Sequence, residues 1–281
     1  MNIRKAAVAG SFYPPIADAL RAMVQGFIDD ASVEPAPERV AAIVAPHAGF
    51  IYSGATAGFA YKRVVGMNPK RVIVLAGSHR YRVERASVYT PGAFETPLGI
   101  LSVDEPFATE FAKVAGSDSI EPHFDEHSLE VQLPFLQVAL GEVPIVPVLF
   151  GGPARPWHAE IGGKLAAMVD DGDLVIASTD LSHFMTEEEA NEIDKRTLDA
   201  VLARNVPGVI GGLRTKQYAM CGEAAVVAAM GYALKRGVGD SQVGGVTPPA
   251  WSLLDYRTSA AVSGDYNRVV GYGAISMERT A

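Results

Sequence analysis

The chain predicts an α/β protein, a three-layer sandwich around a central, mostly parallel sheet. Two observations carry this. Short, continuous apolar runs rich in β-branched residues recur along the 281 residues, as buried strands covered on both faces require. Segments with helical spacing lie between them, and alternating strands and helices are the signature of helices packed on a parallel sheet.

In chain order, Ile16 to Ile28 places apolar residues at helical spacing, at 16, 20, 23, 24 and 27/28. Ser32 to Glu38, with Pro35 and Pro37, is a short loop. Val40 to Ala45 and Arg71 to Leu75 read as the first two buried strands. Ser87 to Leu101 differs, because Pro91-Gly92 and Pro97-Leu98-Gly99 suggest a hairpin or loop excursion beside the sheet. Glu126 to Leu140 reads as one helix, with apolar residues at 129, 133, 136 and 140. Pro144 to Leu149 and Leu174 to Ala177 are further strands, and His158 beside Trp157 sits on an ordinary helix as a structural residue. Thr186 to Leu202 opens with Thr186 and Glu189 at capping-box spacing. Cys221 to Leu234 is alanine-rich and apolar on most sides, a buried helix. Gly237 to Pro249 is the most loop-like stretch, and Val269 to Ile275 the last strand. No linker, repeat or low-complexity tract divides the chain, so residues 1–281 are expected to form one domain.

Charged residues make up 20% and the hydrophobic set 48%, ordinary globular usage that argues against disorder. A formal charge of −8 opposes non-specific nucleic-acid binding, while leaving room for a local basic patch such as Lys70-Arg71 or Arg80 to Arg85. The lone cysteine, Cys221, can form no intrachain disulfide. The apolar run after Arg4 and Lys5 soon meets Gly10 and Pro14-Pro15, which makes a poor signal peptide. No stretch approaches the ~20 apolar residues of a membrane helix. The expected setting is the cytoplasm, with neither membrane nor nucleic acid as partner.

The chemistry gathers where strands end. Val40 to Ala45 runs into Pro46-His47-Ala48-Gly49, Arg71 to Leu75 into Gly77-Ser78-His79-Arg80, and Leu174 to Ala177 into Ser178-Thr179-Asp180-Leu181-Ser182-His183. Open α/β sheets bind ligands outside the carboxyl ends of their strands, so parallel strands would put three imidazoles on one rim. Imidazole is the commonest metal-ligating side chain. Cys221, where the alanine-rich helix begins, is either a ligand or nucleophile with a thiol pKa lowered by the helix terminus, or an inert buried residue. His123 to Glu130 packs two histidines and three further acids into eight residues. His127 and Glu130 would share a helix face there, as a metal or proton-relay pair, whereas Glu126 equally suits a solvated helix start. Thr186-Glu187-Glu188-Glu189 is ordinary first-turn acid. Walker, Gly-x-Gly-x-x-Gly and Gly-x-Ser-x-Gly motifs are absent, which counts against nucleotide binding and an ordinary serine hydrolase.

At these residues the chain resembles the Memo family. The matching pieces are Ala9-Gly10-Ser11-Phe12-Tyr13-Pro14, Ala45-Pro46-His47-Ala48-Gly49-Phe50-Ile51-Tyr52-Ser53-Gly54, Gly77-Ser78-His79, Glu126 to Pro134, Ser178-Thr179-Asp180-Leu181-Ser182-His183-Phe184 and Met220-Cys221-Gly222. They run in family order across nearly the whole chain. The resemblance implies a fold like that of class III extradiol ring-cleavage dioxygenases. It implies a pocket in which His47, His79 and Cys221 hold a transition metal, iron or copper in the first place and zinc as a further option, with Asp180 and His183 alongside. It also implies a functional link to a radical SAM enzyme and an AMMECR-like protein. The dioxygenases use two histidines and a carboxylate on iron, whereas the third ligand here is a thiolate, with Glu223 two residues further on. A thiolate shifts preference towards softer ions, so ring cleavage by the relatives' mechanism does not carry over.

Three functions follow as expectations. The first is a metal-dependent oxidoreductase acting on a small molecule, with His183 as acid/base, Asp180 fixing its tautomer or orienting another bond, and His127 stabilising a substrate oxyanion. The second is a non-enzymatic module for an anionic or phosphorylated ligand, using the cation and backbone donors of Ser78-His79-Arg80. The third is a metal-independent thiol hydrolase with Cys221 as nucleophile and a histidine as base.

Overall fold

The computed structural model describes residues 2–237 and 251–278. The amino-terminal half contains β1 (Ile3–Arg4), α1 (Ala17–Asp30), β2 (Val40–Ala45), α2 (Phe50–Val64), β3 (Val72–Gly77), β4 (Ala86–Val88), β5 (Ala93–Thr96), β6 (Gly99–Ser102) and α3 (Glu105–Ala115). The middle contains α4 (His127–Glu130), α5 (Gln132–Leu140), β7 (Ile145–Phe150), α6 (Pro156–Ala166), β8 (Leu174–Ser178) and β9 (His183–Met185). The remainder is α7 (Glu187–Leu202), α8 (Val206–Arg214), α9 (Glu223–Lys235), β10 (Trp251–Thr258), α10 (Ala260–Ser263) and β11 (Val269–Glu278). The loop-like stretch Gly237 to Pro249 falls outside the described residues after its first position.

The main sheet runs in the order β10-β11-β2-β8-β3-β7-β4, and β9 pairs with β11. Its centre, β2-β8-β3-β7, is parallel, while β10, β11 and β4 add antiparallel strands at the two edges. Every residue of β2, β3, β7 and β8 is buried, so both faces are covered, as their unbroken apolar runs predicted. Register fixes what matters for function. Ala45 pairs with Ser178 and Leu75 with Ala177, which puts the carboxyl ends of β2, β8 and β3 side by side.

The helices at 17–30, 187–202 and 223–235 lie where periodicity puts them. Thr186 caps α7 by the reciprocal bonds of a capping box with Glu189. α2 goes unpredicted, because Gly54 and Gly58 interrupt its apolar pattern with poor helix formers. The excursion at 87–101 divides: β4 joins the edge of the main sheet, while β5 and β6 form a hairpin that builds a small second sheet with β1.

The segment Glu126 to Leu140 is two helices, not one. Pro134 has no NH to close a helical bond onto Glu130. The carbonyl of Ser128, the acceptor one turn before Gln132, receives the hydroxyl of Ser178 instead, at 2.6 Å. The start of α4 brings Glu126 against His79 at the end of β3, with His127 beside it.

His123, ahead of α4, is buried among the rings of Tyr89 and Phe94 and bonds the Ser87 carbonyl through Nε2 at 3.1 Å. Burial pushes its pKa down from the ordinary 6.5 to about 3. A base neutral in the fold but protonated when unfolded gives stability that is complete above its unfolded pKa and is lost as pH falls towards its folded one. His123 alone is therefore expected to cost about 2 kcal/mol between pH 7.5 and 5.0. Urea unfolding at both pH values measures this, and the wild-type loss should exceed that of His123→Gln by about this amount. Equal losses in the two proteins would refute it.

Candidate metal centre

Each strand end delivers one polar group to a common rim. His47 lies two residues past β2, His79 two past β3, and Asp180 two past β8. The imidazole centroids of His47, His79 and His127 form a triangle with sides of 5.2, 5.4 and 4.8 Å. Cys221 completes the group, its Sγ lying 3.0 Å from His47 Nε2. The ligand atoms of His47, His79 and Cys221 all lie within 4.8 Å of one another, as do those of His79, Glu126 and His127, and those of Asp180, His183 and Cys221.

Hydrogen bonds fix the tautomers. The Ser178 hydroxyl donates to Ser128 O and accepts from Gln132 Nε2 at 2.8 Å. Its one hydrogen is thus engaged, so His47 Nδ1, 3.0 Å away, must be the donor. His79 Nδ1 and His127 Nδ1 face the same Glu126 oxygen at 3.0 and 3.2 Å, and His183 Nδ1 faces the Leu181 carbonyl at 2.9 Å. All four rings meet an acceptor at Nδ1. All four therefore turn the lone pair of Nε2 outward, the arrangement that orients metal-bound or proton-transferring histidines.

Cys221 reaches the rim from the loop ahead of α9. Its NH donates to Asp180 O at 3.1 Å, Asp180 NH points at Sγ at 3.3 Å, and Gly222 NH donates to Thr179 Oγ1 at 2.8 Å. Gly222 makes the approach feasible, because a Cβ there would lie 2.2 Å from Ser178 O. The helix itself starts at Glu223 with Gly222 as its cap, so Cys221 lies outside it. Burial and then the charge of Asp180 push the thiol pKa up, opposite to the lowering that a helix terminus would bring. Burial thus disfavours the free thiolate, while His47 Nε2, 3.0 Å from Sγ, stands where a base for the thiol would.

The remaining site residues depart from expectation in detail. The Asp180 carboxylate accepts the amides of His47 and Ala48, at 2.7 and 3.3 Å, so it fixes the backbone that carries His47; the Leu181 carbonyl holds the His183 ring in its place. Burial raises the Asp180 pKa against these two bonds. Desolvation lowers the pKa of His47, reinforced by His79 and His127, and keeps its ring neutral. Of the 78–80 loop, the donors of Ser78 and the amide of His79, assigned to a phosphate, are already engaged. Ser78 NH bonds Phe150 O, its hydroxyl bonds Tyr81 O, and His79 NH bonds Glu126.

Glu126 is a buried hub rather than a solvated helix start. Burial opposes its ionisation, but bonds from His127, His79 and the amides of Ser128 and His79 hold its pKa well below the carboxylate range. Ser178 and Gln132 are further site residues that sequence reasoning missed. Both lie within the motif pieces that carry the resemblance, but as neutral side chains far apart in sequence they showed no chemistry of their own. His127 and Glu130 do not act together: the Glu130 carboxylate is buried against Arg4, Tyr13 and the amides of Ala7 and Val8. That anchors the amino-terminal loop, whose Phe12 ring lies 5.0 Å from His127. His158 is structural, accepting the Arg155 amide at Nδ1.

Comparison with known proteins finds relatives along nearly the whole chain. The family model for Memo-like proteins matches residues 4–276. A MEMO1 family protein of Methanopyrus kandleri is 33% identical over 290 residues, covering 98% of this chain and 99% of its own. Counterparts in Methanosarcina acetivorans and Aquifex aeolicus are each 33% identical, covering 99% and 97% of this chain and 100% and 98% of their own. A solved chain described as an uncharacterized protein of Escherichia coli K12 aligns with a TM-score of 0.48 and 17% identity, over 84% of this chain and 99% of that one.

Proposed function

The chain belongs to the Memo family, and from that premise we propose that Nε2 of His47, Nε2 of His79 and Sγ of Cys221 hold one iron or copper ion in a site for oxidoreductase-type chemistry on a small molecule. The observation that supports this most directly is the orientation of the donors. Two imidazoles have Nδ1 engaged by Ser178 and Glu126, and so offer Nε2 to the point that Sγ also faces. Nitrogen and sulfur ligands at ~2.0–2.3 Å from an ion stand about 3–4 Å apart. The 3.0 Å between His47 Nε2 and Sγ, and the 4.8 Å limit on all three atoms, suit such a shell. Imidazole and thiolate together select softer transition metals over magnesium or calcium, and zinc fits the same donors.

When bound, such an ion supplies redox or Lewis-acid chemistry to a ligand completing its shell. The chain's own residues do the rest. His183, with Nδ1 held by Leu181 O and its ring open to solvent, moves a proton at Nε2. His127, oriented by Glu126 and packed under Phe12, faces the same space and donates to an oxyanion when protonated. Asp180 holds His47 and the Cys221 loop at their spacing.

Anaerobic titration of metal-free protein with ferrous or cuprous ion tests the proposal. The expected result is saturation at about one ion per chain. Protein that binds neither ion under reducing conditions would overturn it.

A further inference from the structure

One strand away from the metal pocket, the chain concentrates positive charge outside the pocket. Arg80, Arg82 and Arg85 follow His79 in a chain of net charge −8. Their loop packs on the turn after β7: Gly151 NH donates to Arg85 O at 3.1 Å. A Cβ on Gly151 would lie 1.7 Å from Val83 O, so only glycine permits this contact.

Between the two loops lies a cavity of about 390 Å³, lined by Arg82, Glu84, Gly151, Gly152, Arg155 and Trp157 among others. That volume lies within the range of small-ligand sites, roughly 300–1,000 Å³. Among the described residues, no ion pair involves Arg82 or Arg155. Glu84 offsets one of the two charges and leaves the cavity cationic. Trp157 is a fixed wall, with its ring 3.7 Å from that of His158 and the Arg85 guanidinium 5.3 Å from its centroid. The Arg155 amide is taken by His158, and Pro156 has no NH, so the positive character comes from guanidinium groups and not from the start of α6. Arg82 and Arg155 are exposed on the wall of one cavity, and their planar guanidinium forks match a phosphate or carboxylate.

We propose that the cleft between residues 80–85 and 151–157 binds the phosphate group of a small organic ligand, with Arg82 and Arg155 as its two clamps. The assignment is independent of the metal site: it uses none of the metal-pocket residues.

The test is a titration with sodium phosphate at constant ionic strength, followed by fluorescence of Trp157 in a Trp251→Phe background. Saturable quenching is expected, with affinity unchanged by a metal chelator. Arg82→Ala and Arg155→Ala should each weaken it about tenfold, the loss of one charge-assisted contact. Arg21→Ala, on α1, should leave it unchanged, and Arg155→Lys should fall between wild type and alanine, which also guards against a folding defect. Glycerol phosphate binding more tightly than inorganic phosphate would support an organic ligand, whereas tighter binding of succinate would overturn phosphate in favour of a carboxylate. The proposal is also overturned if no saturation is seen, if the double alanine variant binds as wild type, or if chelator abolishes binding; the last result would place phosphate on the metal. None of these outcomes touches the metal titration.

Discussion

Replacing Cys221 with serine is expected to lower the affinity for cuprous or ferrous ion by roughly 100-fold or more, the upper end of what even an outer partner of a metal ligand contributes. The hydroxyl keeps the size of the thiol and its contact with the Asp180 amide, 3.3 Å from Sγ, so the loop that carries residue 221 stays in place. What disappears is the soft donor. Burial and Asp180 hold the thiol protonated in the metal-free protein, so metal binding must release its proton. A serine hydroxyl cannot be ionised at comparable cost. Anaerobic competition against a calibrated chelator measures the difference. If Cys221→Ser binds within threefold of wild type, the thiolate is not a ligand. His79, Glu126 and His127, whose ligand atoms also lie within 4.8 Å of one another, would then be the competing set.

Arg4→Ala is expected to destabilise the fold by about 3–5 kcal/mol, as breaking a buried ion pair from one side does. Arg4 is 2% exposed and Glu130 not at all. Alanine would leave the Glu130 carboxylate with the neutral donors Ala7 NH, Val8 NH and Tyr13 OH, and without a counter-charge. Arg4 also donates to the carbonyls of His123 and Glu126, both at 2.9 Å, so its loss frees two acceptors beside the segment that presents His127. Equilibrium unfolding in urea gives the number, and a change below about 1 kcal/mol would show that the pair contributes little. A double replacement, Arg4→Met with Glu130→Leu, should recover much of the loss, because well-packed apolar pairs of similar volume often match a buried ion pair.

The two effects separate what the sequence states from what it hides. Local patterns determined the core strands of the sheet, because strands covered on both faces must be apolar, and 40–45, 72–77, 145–150 and 174–177 are. They determined that His47 and His79 follow strand ends, and the parallel pairing of β2, β8 and β3 then made those ends adjacent. A resemblance in motifs supplied Cys221, which composition left between ligand and inert thiol. Tertiary structure alone decided the rest. A carboxylate looks the same in sequence whether it is solvated or buried, and only packing made Glu126 the shared anchor of two histidines and Glu130 the partner of Arg4, 126 residues away. Only the fold set Ser178 and Gln132 behind His47, and only burial reversed the expected shift of the Cys221 thiol. The physical reason is range. Periodicity and caps act over a few residues and are written locally, whereas desolvation, tautomer choice and charge pairing depend on neighbours that the chain brings together only by folding.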